Sequence, residues 1–254
     1  KNIINKTNLI YNTVLSKKYD CNIYLKREDQ QITRSFKIRG AYNKLNNLSK
    51  DEKKEGVVCA SAGNHAQGVA YSCNILNIKA DIFVPTNTPS QKIKAINKYC
   101  SNQTKLHIVG SNFDKCYNIS TNFCKKNNKK FIHPFNDIDI IIGQGTIAAE
   151  IYEEINPDII IGTIGGGGLM SGISLFSKYI NQQCLLYGVE SDGCDAMKQS
   201  IQSKKIISLQ KYDMFVDGAC VKQVGNITFD ICNQNLTDVL TISNGHLCSK
   251  IIDL

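Results

Sequence analysis

Tryptophan is absent from this chain, proline occurs only four times, and no apolar run approaches the roughly 20 residues of a membrane-crossing helix. The last absence excludes a membrane partner of the helical-span type. With 42% hydrophobic and 20% charged residues, the composition is that of a soluble globular protein. A signal peptide is also missing, and the first residue is Lys rather than Met, so the chain reads as a fragment or a processed product. The 11 cysteines include no Cys-x-x-Cys pair. Most sit in apolar runs such as GVVCAS and NQQCLLYGVE, where a free thiol behaves as a small hydrophobe. That usage points to a reducing, cytoplasmic compartment. The four histidines lack ligand spacing, so no metal is expected. The formal net charge is +8, yet the lysines (Lys17, Lys53, Lys92, Lys125, Lys178, Lys211) are scattered rather than gathered into a stripe. No nucleic-acid partner is therefore expected.

What is present is an alternation of short β-rich runs and helical stretches. CNIYLKRE predicts a strand and residues 36–48 a helix; GVVCAS predicts a strand and residues 64–76 a helix. ADIFVP, QKIKAINKY and TKLHIVG continue as strand, helix and strand, followed by a helix over 113–126 and a strand at KKFIHPF. A helix near 145–155, the strand DIIIGTIG, a helix near 169–180 and the strand LLYGVE come next, and the pattern loses regularity after Gly193. Apolar runs of strand length with helices between them imply βαβ units and parallel sheets, hence an α/β fold. Runs such as IFVP and IIIG fit sheets covered on both faces. No repeat of fixed period occurs, and the pattern marks no domain boundary.

Three strand ends carry chemistry. In SFKIRG, Lys37 stands between Phe36 and Ile38 near a helix start. It is either one more solvated cation or a desolvated amine that can condense with a carbonyl. In SAGNHAQG, directly after a strand, Ser61, Ala62 and Gly63 form a turn and Asn64 is placed to cap the following helix. Free N–H groups there favour an anion, while a bland reading leaves Asn64 as a cap and His65 as an exposed helix residue. In GTIGGGGLMSG, the consecutive Gly165, Gly166, Gly167 and Gly168 can turn successive amides toward one point as an anion nest. The glycines are followed by GLM rather than GK[ST], which excludes a Walker loop, and G-x-G-x-x-G fails in every register across 162–172. Glu190 closes the next strand where a ribose-binding acid would stand, so a dinucleotide module stays open as a lesser alternative. A phosphate nest with a potential carbonyl-binding amine points to pyridoxal 5'-phosphate.

The ordered set KRED, SFKIRGAYNKL, SAGNHAQGVA, GQGT and GGGGLMSG resembles the serine/threonine dehydratases of the tryptophan-synthase-β-like (fold type II) pyridoxal-phosphate family. Within it the threonine ammonia-lyase branch of isoleucine biosynthesis is the most similar, and FVDGACVKQVGNITFDIC resembles that branch's later segment. The resemblance implies two open parallel-sheet domains with the cofactor between them. A small one over 53–135 would be inserted in a large one formed by 1–52 and 136–254. It implies β-elimination of L-threonine to 2-oxobutanoate and ammonia, with L-serine giving pyruvate.

By position, the resemblance makes Lys37 the catalytic lysine bonded to the cofactor and Asn64 the partner of the cofactor's 3-hydroxyl. Gly165 to Gly168 and the amide of Leu169 would hold the phosphate, and Phe36 and Gly218 would flank the ring. Ser61, Ala62, Gly63, Asn64 and His65 would receive the substrate carboxylate. In the similar serine racemases a serine stands at position 62 as the acid/base of the opposite face; Ala62 carries no proton and favours elimination. The family's PSGA-like stretch and serine-bearing turn for the pyridine nitrogen do not occur between Lys222 and Leu254, so the C-terminal part is expected to be missing. A non-catalytic cofactor-binding remnant or subunit is the alternative function. Relatives are dimers or tetramers, which implies a homo-oligomer by analogy.

Overall fold

The structure, a computed structural model, describes residues 3–253; residues 1, 2 and 254, at the ends of the expected large domain, lie outside it. The chain divides into two compact units, residues 1–132 with 149–156 and residues 133–148 with 157–254.

The first unit begins with an antiparallel pair, β1 (Leu9–Tyr11) and β2 (Tyr24–Lys26), bridged by α1 (Thr13–Tyr19). A 3-10 turn (Glu28–Gln30) and a loop then lead into α2 (Lys37–Asn47) and α3 (Lys50–Glu55). Ser49 and Glu52 close a reciprocal capping box at the start of α3, which is why this short polar segment is helical. Behind them lies a four-stranded parallel sheet in the order β5 (Thr104–Ile108), β4 (Ala80–Val84), β3 (Val57–Ala60), β6 (Lys130–Phe131). Helices α4 (Asn64–Leu76), α5 (Ser90–Asn97) and α6 (Phe113–Lys126) make the crossovers. Every residue of β3 and β4 is buried, as expected of strands covered on both faces.

The second unit holds a three-stranded parallel sheet, β7 (Ile159–Thr163), β8 (Leu185–Ser191) and β9 (Asp238–Ile242), in that order. With it are α8 (Gly168–Ile180), α9 (Ala196–Gln202), α10 (Asn226–Asn235) and α11 (Asn244–Asp253). Helix α7 (Ile138–Tyr152) gives residues 138–148 to this unit and its last turn to the first. Ile160, Leu186 and Val239 point into the core, whereas Ile159, Ile161, Leu185 and Leu240 of the alternate register are exposed.

Several expectations shift. Helix α7 starts at Ile138, seven residues before the expected start at 145, because IDIIIGQG is Ile-rich and its two polar residues, Asp139 and Gln144, make no polar stripe to mark a helix. Gly145 sits inside it because a Cβ there would come within 2.9 Å of the Gly172 carbonyl oxygen on α8. The strand expected at KKFIHPF is only Lys130–Phe131. The expected inserted domain, 53–135, spans the whole four-stranded sheet, while compactness groups residues up to 52 with that sheet. The cysteines also depart in part: Cys59, Cys73, Cys116, Cys124, Cys184 and Cys232 are buried free thiols, but Cys194 and Cys220 form a disulfide.

Candidate functional site

Lys37 opens α2 and does not follow a strand directly, since the 3-10 turn and residues 31–36 intervene. Ser35 turns the chain into the helix: its Oγ accepts the Lys37 amide at 3.3 Å, and Phe36 occupies the cap position with no side-chain cap bond. The Lys37 ammonium lies 5.4 Å from the Phe36 ring centroid. By surface area the residue is half-buried, but its amine is deep enough that desolvation lowers its pKa to about 8. Burial of the amine speaks against the solvated-cation reading of Lys37.

Two features that the sequence did not display fix α2 in place. Gly68 on α4 lies against the Lys37–Ile38 backbone; a Cβ at Gly68 would stand 3.2 Å from Ile38 N and Cα and 3.3 Å from the Lys37 carbonyl carbon. Two residues past Lys37, the buried Arg39 binds Glu28 with Nε and Nη2 at 2.8 Å, and Glu150 with Nη1 at 2.6 Å and Nη2 at 2.8 Å. Burial alone would lower the Arg39 pKa, but bonds to the two carboxylates raise it instead. Lys26 adds a second cation at 2.7 Å from Glu150, so KRED and the end of α7 hold the helix that carries Lys37. The KIRG and KRED motifs were visible, but the partnership with Glu150, 111 residues away, has no sequence signal.

At the end of β3, Ser61 Oγ accepts the Gly63 amide at 3.2 Å. Gly63, not Asn64, is the cap residue of α4, and no side chain caps this helix; Asn64 is its exposed first residue. The expectation of an Asn64 cap is thus corrected, and the N-terminus keeps the partial positive charge of uncapped amides. Around Gly63 a Cβ would meet nothing within 4 Å. His65 is buried rather than exposed, and its Nε2 donates to the Ile132 carbonyl at 3.0 Å. Ala62 is half-buried.

In the second unit the glycine run links β7 to α8. Gly167 has φ +91°, open to glycine at little cost, and a Cβ on Gly166 would run into the Phe135 ring. Gly165 is pressed by the Ala219 backbone, where a Cβ would lie 2.9 Å from the carbonyl oxygen. The need for consecutive glycines thus arises within the protein, from close packing, and not only from a ligand. The ligand argument moves to the amides: among the described residues, those of Gly165, Gly166 and Gly167 have no hydrogen-bond acceptor, although Gly166 and Gly167 are buried. Leu169 follows in the first turn of α8. Gly218 is exposed on the segment that leads into Ala219, and a Cβ on it would meet nothing within 4 Å.

Glu190 is 2% exposed, and its carboxylate accepts the Met197 and Lys198 amides at 3.0 and 2.9 Å. Desolvation pushes its pKa up to about 7 despite those bonds. It caps α9, so the ribose-binding acid of the dinucleotide alternative is committed elsewhere.

The family model for pyridoxal-phosphate dependent enzymes matches residues 1–252. The chain belongs to this family. An L-threonine dehydratase (biosynthetic IlvA) of Halalkalibacterium halodurans is 45% identical over 256 residues, and that of Bacillus subtilis 41%. Each alignment takes in all of this chain but only 62% and 61% of the relative, so the chain spans about three-fifths of the curated relatives it matches. Among solved structures, the processed threonine deaminase isoform 2 of Solanum lycopersicum superposes with a TM-score of 0.94 at 37% identity, over 99% of this chain and 73% of that one. Maize serine racemase gives 0.92 at 29%, over 98% and 75%. The fold is therefore the fold type II α/β architecture with parallel sheets.

The residues present fit the family's cofactor. An aldehyde needs a primary amine that gives up its proton more readily than a solvated lysine, and burial lowers the Lys37 pKa to about 8. A phosphate needs N–H donors, and the glycine turn at the start of α8 presents amides of Gly166 and Gly167 that are buried and have no acceptor among the described residues.

Proposed function

We propose that this chain carries the catalytic part of a threonine ammonia-lyase. It converts L-threonine to 2-oxobutanoate and ammonia, and L-serine to pyruvate and ammonia, opening isoleucine biosynthesis. The observation that carries the proposal is the buried Lys37 amine, with its pKa lowered to about 8, on a helix clamped by Gly68 and Arg39. The names of the 41–45% identical relatives support the choice of substrate.

In this reading Lys37 holds the cofactor before the amino acid arrives and afterwards takes the α-proton as a neutral amine. Pyridoxal phosphate supplies an electron-withdrawing ring that spreads the charge left by that proton. The uncapped start of α4, with Ser61, Ala62, Gly63, Asn64 and His65, receives the substrate carboxylate, and Asn64 also hydrogen-bonds the cofactor's 3-hydroxyl. The amides of Gly165, Gly166, Gly167, Gly168 and Leu169 bind the phosphate, and Phe36 and Gly218 flank the ring. One water leaves with the β-hydroxyl and one returns on hydrolysis, so each turnover releases one ammonia. Ala62 offers no proton donor on the opposite face, which favours elimination over racemisation.

The proposal extends to a cytoplasmic setting, consistent with the many free thiols, and to a homodimer or homotetramer with a small inserted domain over 53–135. Purified chain mixed with pyridoxal phosphate should develop an absorption band that borohydride removes, fixing the label on the peptide containing Lys37. Threonine should then yield 2-oxobutanoate. A band without product reduces the chain to a cofactor-binding remnant, and no band overturns both readings.

A further inference from the structure

The glycine turn is held from two sides by residues outside its own motif. On one side the Phe135 ring fills the place of a Gly166 side chain. On the other stands Thr228, fully buried in the first turn of α10, whose Oγ1 donates to the Gly166 carbonyl at 2.7 Å. The same hydroxyl lies 3.2 Å from the Gly225 carbonyl, the usual back-bond of a helical threonine, but it has one proton and the shorter contact points to the turn. One turn further along α10, Cys232 Sγ makes a weaker contact with the Gly167 carbonyl at 3.9 Å. A Cβ on Gly167 would stand 2.9 Å from the Thr228 Cβ, so helix and turn are in direct contact.

A peptide unit is planar, and its C=O and N–H point in opposite directions. Fixing the Gly166 carbonyl on Thr228 therefore fixes the Gly167 N–H on the far side of the same plane. That amide has no acceptor among the described residues. With φ at +91°, Gly167 has rotational freedom that other residues lack, and an untethered peptide there could turn its N–H away. We propose that Thr228 is a positioning residue that aims the Gly167 amide at the cofactor phosphate; this rests on the phosphate role proposed above for the glycine turn.

The test compares equilibrium binding of pyridoxal phosphate and of pyridoxal, which lacks the phosphate, to wild type, Thr228→Val and Thr228→Ser. Valine keeps the shape and removes the hydroxyl, while serine restores it. Wild type should prefer the phosphorylated form. Thr228→Val should weaken pyridoxal phosphate about tenfold, the effect of one lost bond to a charged group, and leave pyridoxal unchanged. Thr228→Ser should recover most of the loss, and the phosphorus NMR shift of the bound cofactor should move only in the valine variant. Equal weakening of both ligands, or of neither, overturns the positioning role while leaving the phosphate assignment intact. A wild type that binds both forms equally overturns the phosphate assignment, and this inference with it. Should Thr228→Val fail to fold by circular dichroism, Thr228→Ala takes its place, and the serine variant still decides: loss of the phosphate preference there counts against the hydroxyl.

Discussion

Lys37 combines two demands that oppose each other at one atom. Its pKa of about 8 lies below the 10.5 of a free lysine, so the folded chain favours the neutral amine while the unfolded chain favours the cation. Any stabilisation from this group is therefore complete only above about pH 10.5 and is lost as the pH falls through about 8. The gap corresponds to about 3 kcal/mol at neutral pH as an upper bound. Lys37→Met should thus raise the thermal midpoint at pH 7 relative to wild type, and the advantage should vanish near pH 10.5. Calorimetry at both pH values checks this; an advantage independent of pH would mean the amine is solvated. At position 62, Ala62→Ser should place a hydroxyl in the turn before α4 and yield detectable D-serine from L-serine beside pyruvate. Chiral chromatography reads that ratio, and pyruvate alone would count against the turn facing the substrate. Lys37 and the glycine run could be singled out from the sequence as candidates because each is a local motif. Thr228 and Phe135 could not, since their role depends on which loop they touch.

Among the elements, α2 and α4 form the packing unit behind Lys37, and their contact depends on one missing side chain. Gly68→Val should force the helices apart and cost about 1–3 kcal/mol, the range for overpacked cores. Denaturant unfolding should show the loss, and an unchanged midpoint would mean α4 can shift without strain. Arg39→Ala should cost about 3–5 kcal/mol because Glu28 and Glu150 would lose the guanidinium that pairs both. Arg39→Lys should restore little of it, since a single ammonium cannot make two forked pairs. Strand and helix periodicity gave α4 and α6 to the residue, because each has a clear apolar stripe and a turn at its start. It failed for α7, where isoleucines also stand on the exposed side, at Ile138 and Ile142, and for α9, α10, β9 and α11, which follow Gly193, where the alternation loses regularity.

For the whole molecule, the two units differ in how their sheets are finished. The four-stranded sheet has both central strands buried throughout, whereas one face of the three-stranded sheet shows Ile159, Ile161, Leu185 and Leu240 to solvent. An apolar face of this kind favours association, and the net charge of +8 opposes it. Light scattering of the isolated chain should rise with salt, which screens that charge, and Ile161→Lys should suppress the rise. A salt-independent signal would argue that the face does not drive association. The buried thiols have a different use. Cys59, Cys73, Cys116 and Cys124 belong to one unit, Cys184 and Cys232 to the other, and burial raises the pKa of Cys59, Cys73, Cys116, Cys124 and Cys232. Brief pulses of an alkylating reagent, read by peptide mass spectrometry, would therefore tag each set only when its own unit opens. The chain carries two built-in clocks, one for each half, and needs no engineered probe to tell which half breathes first.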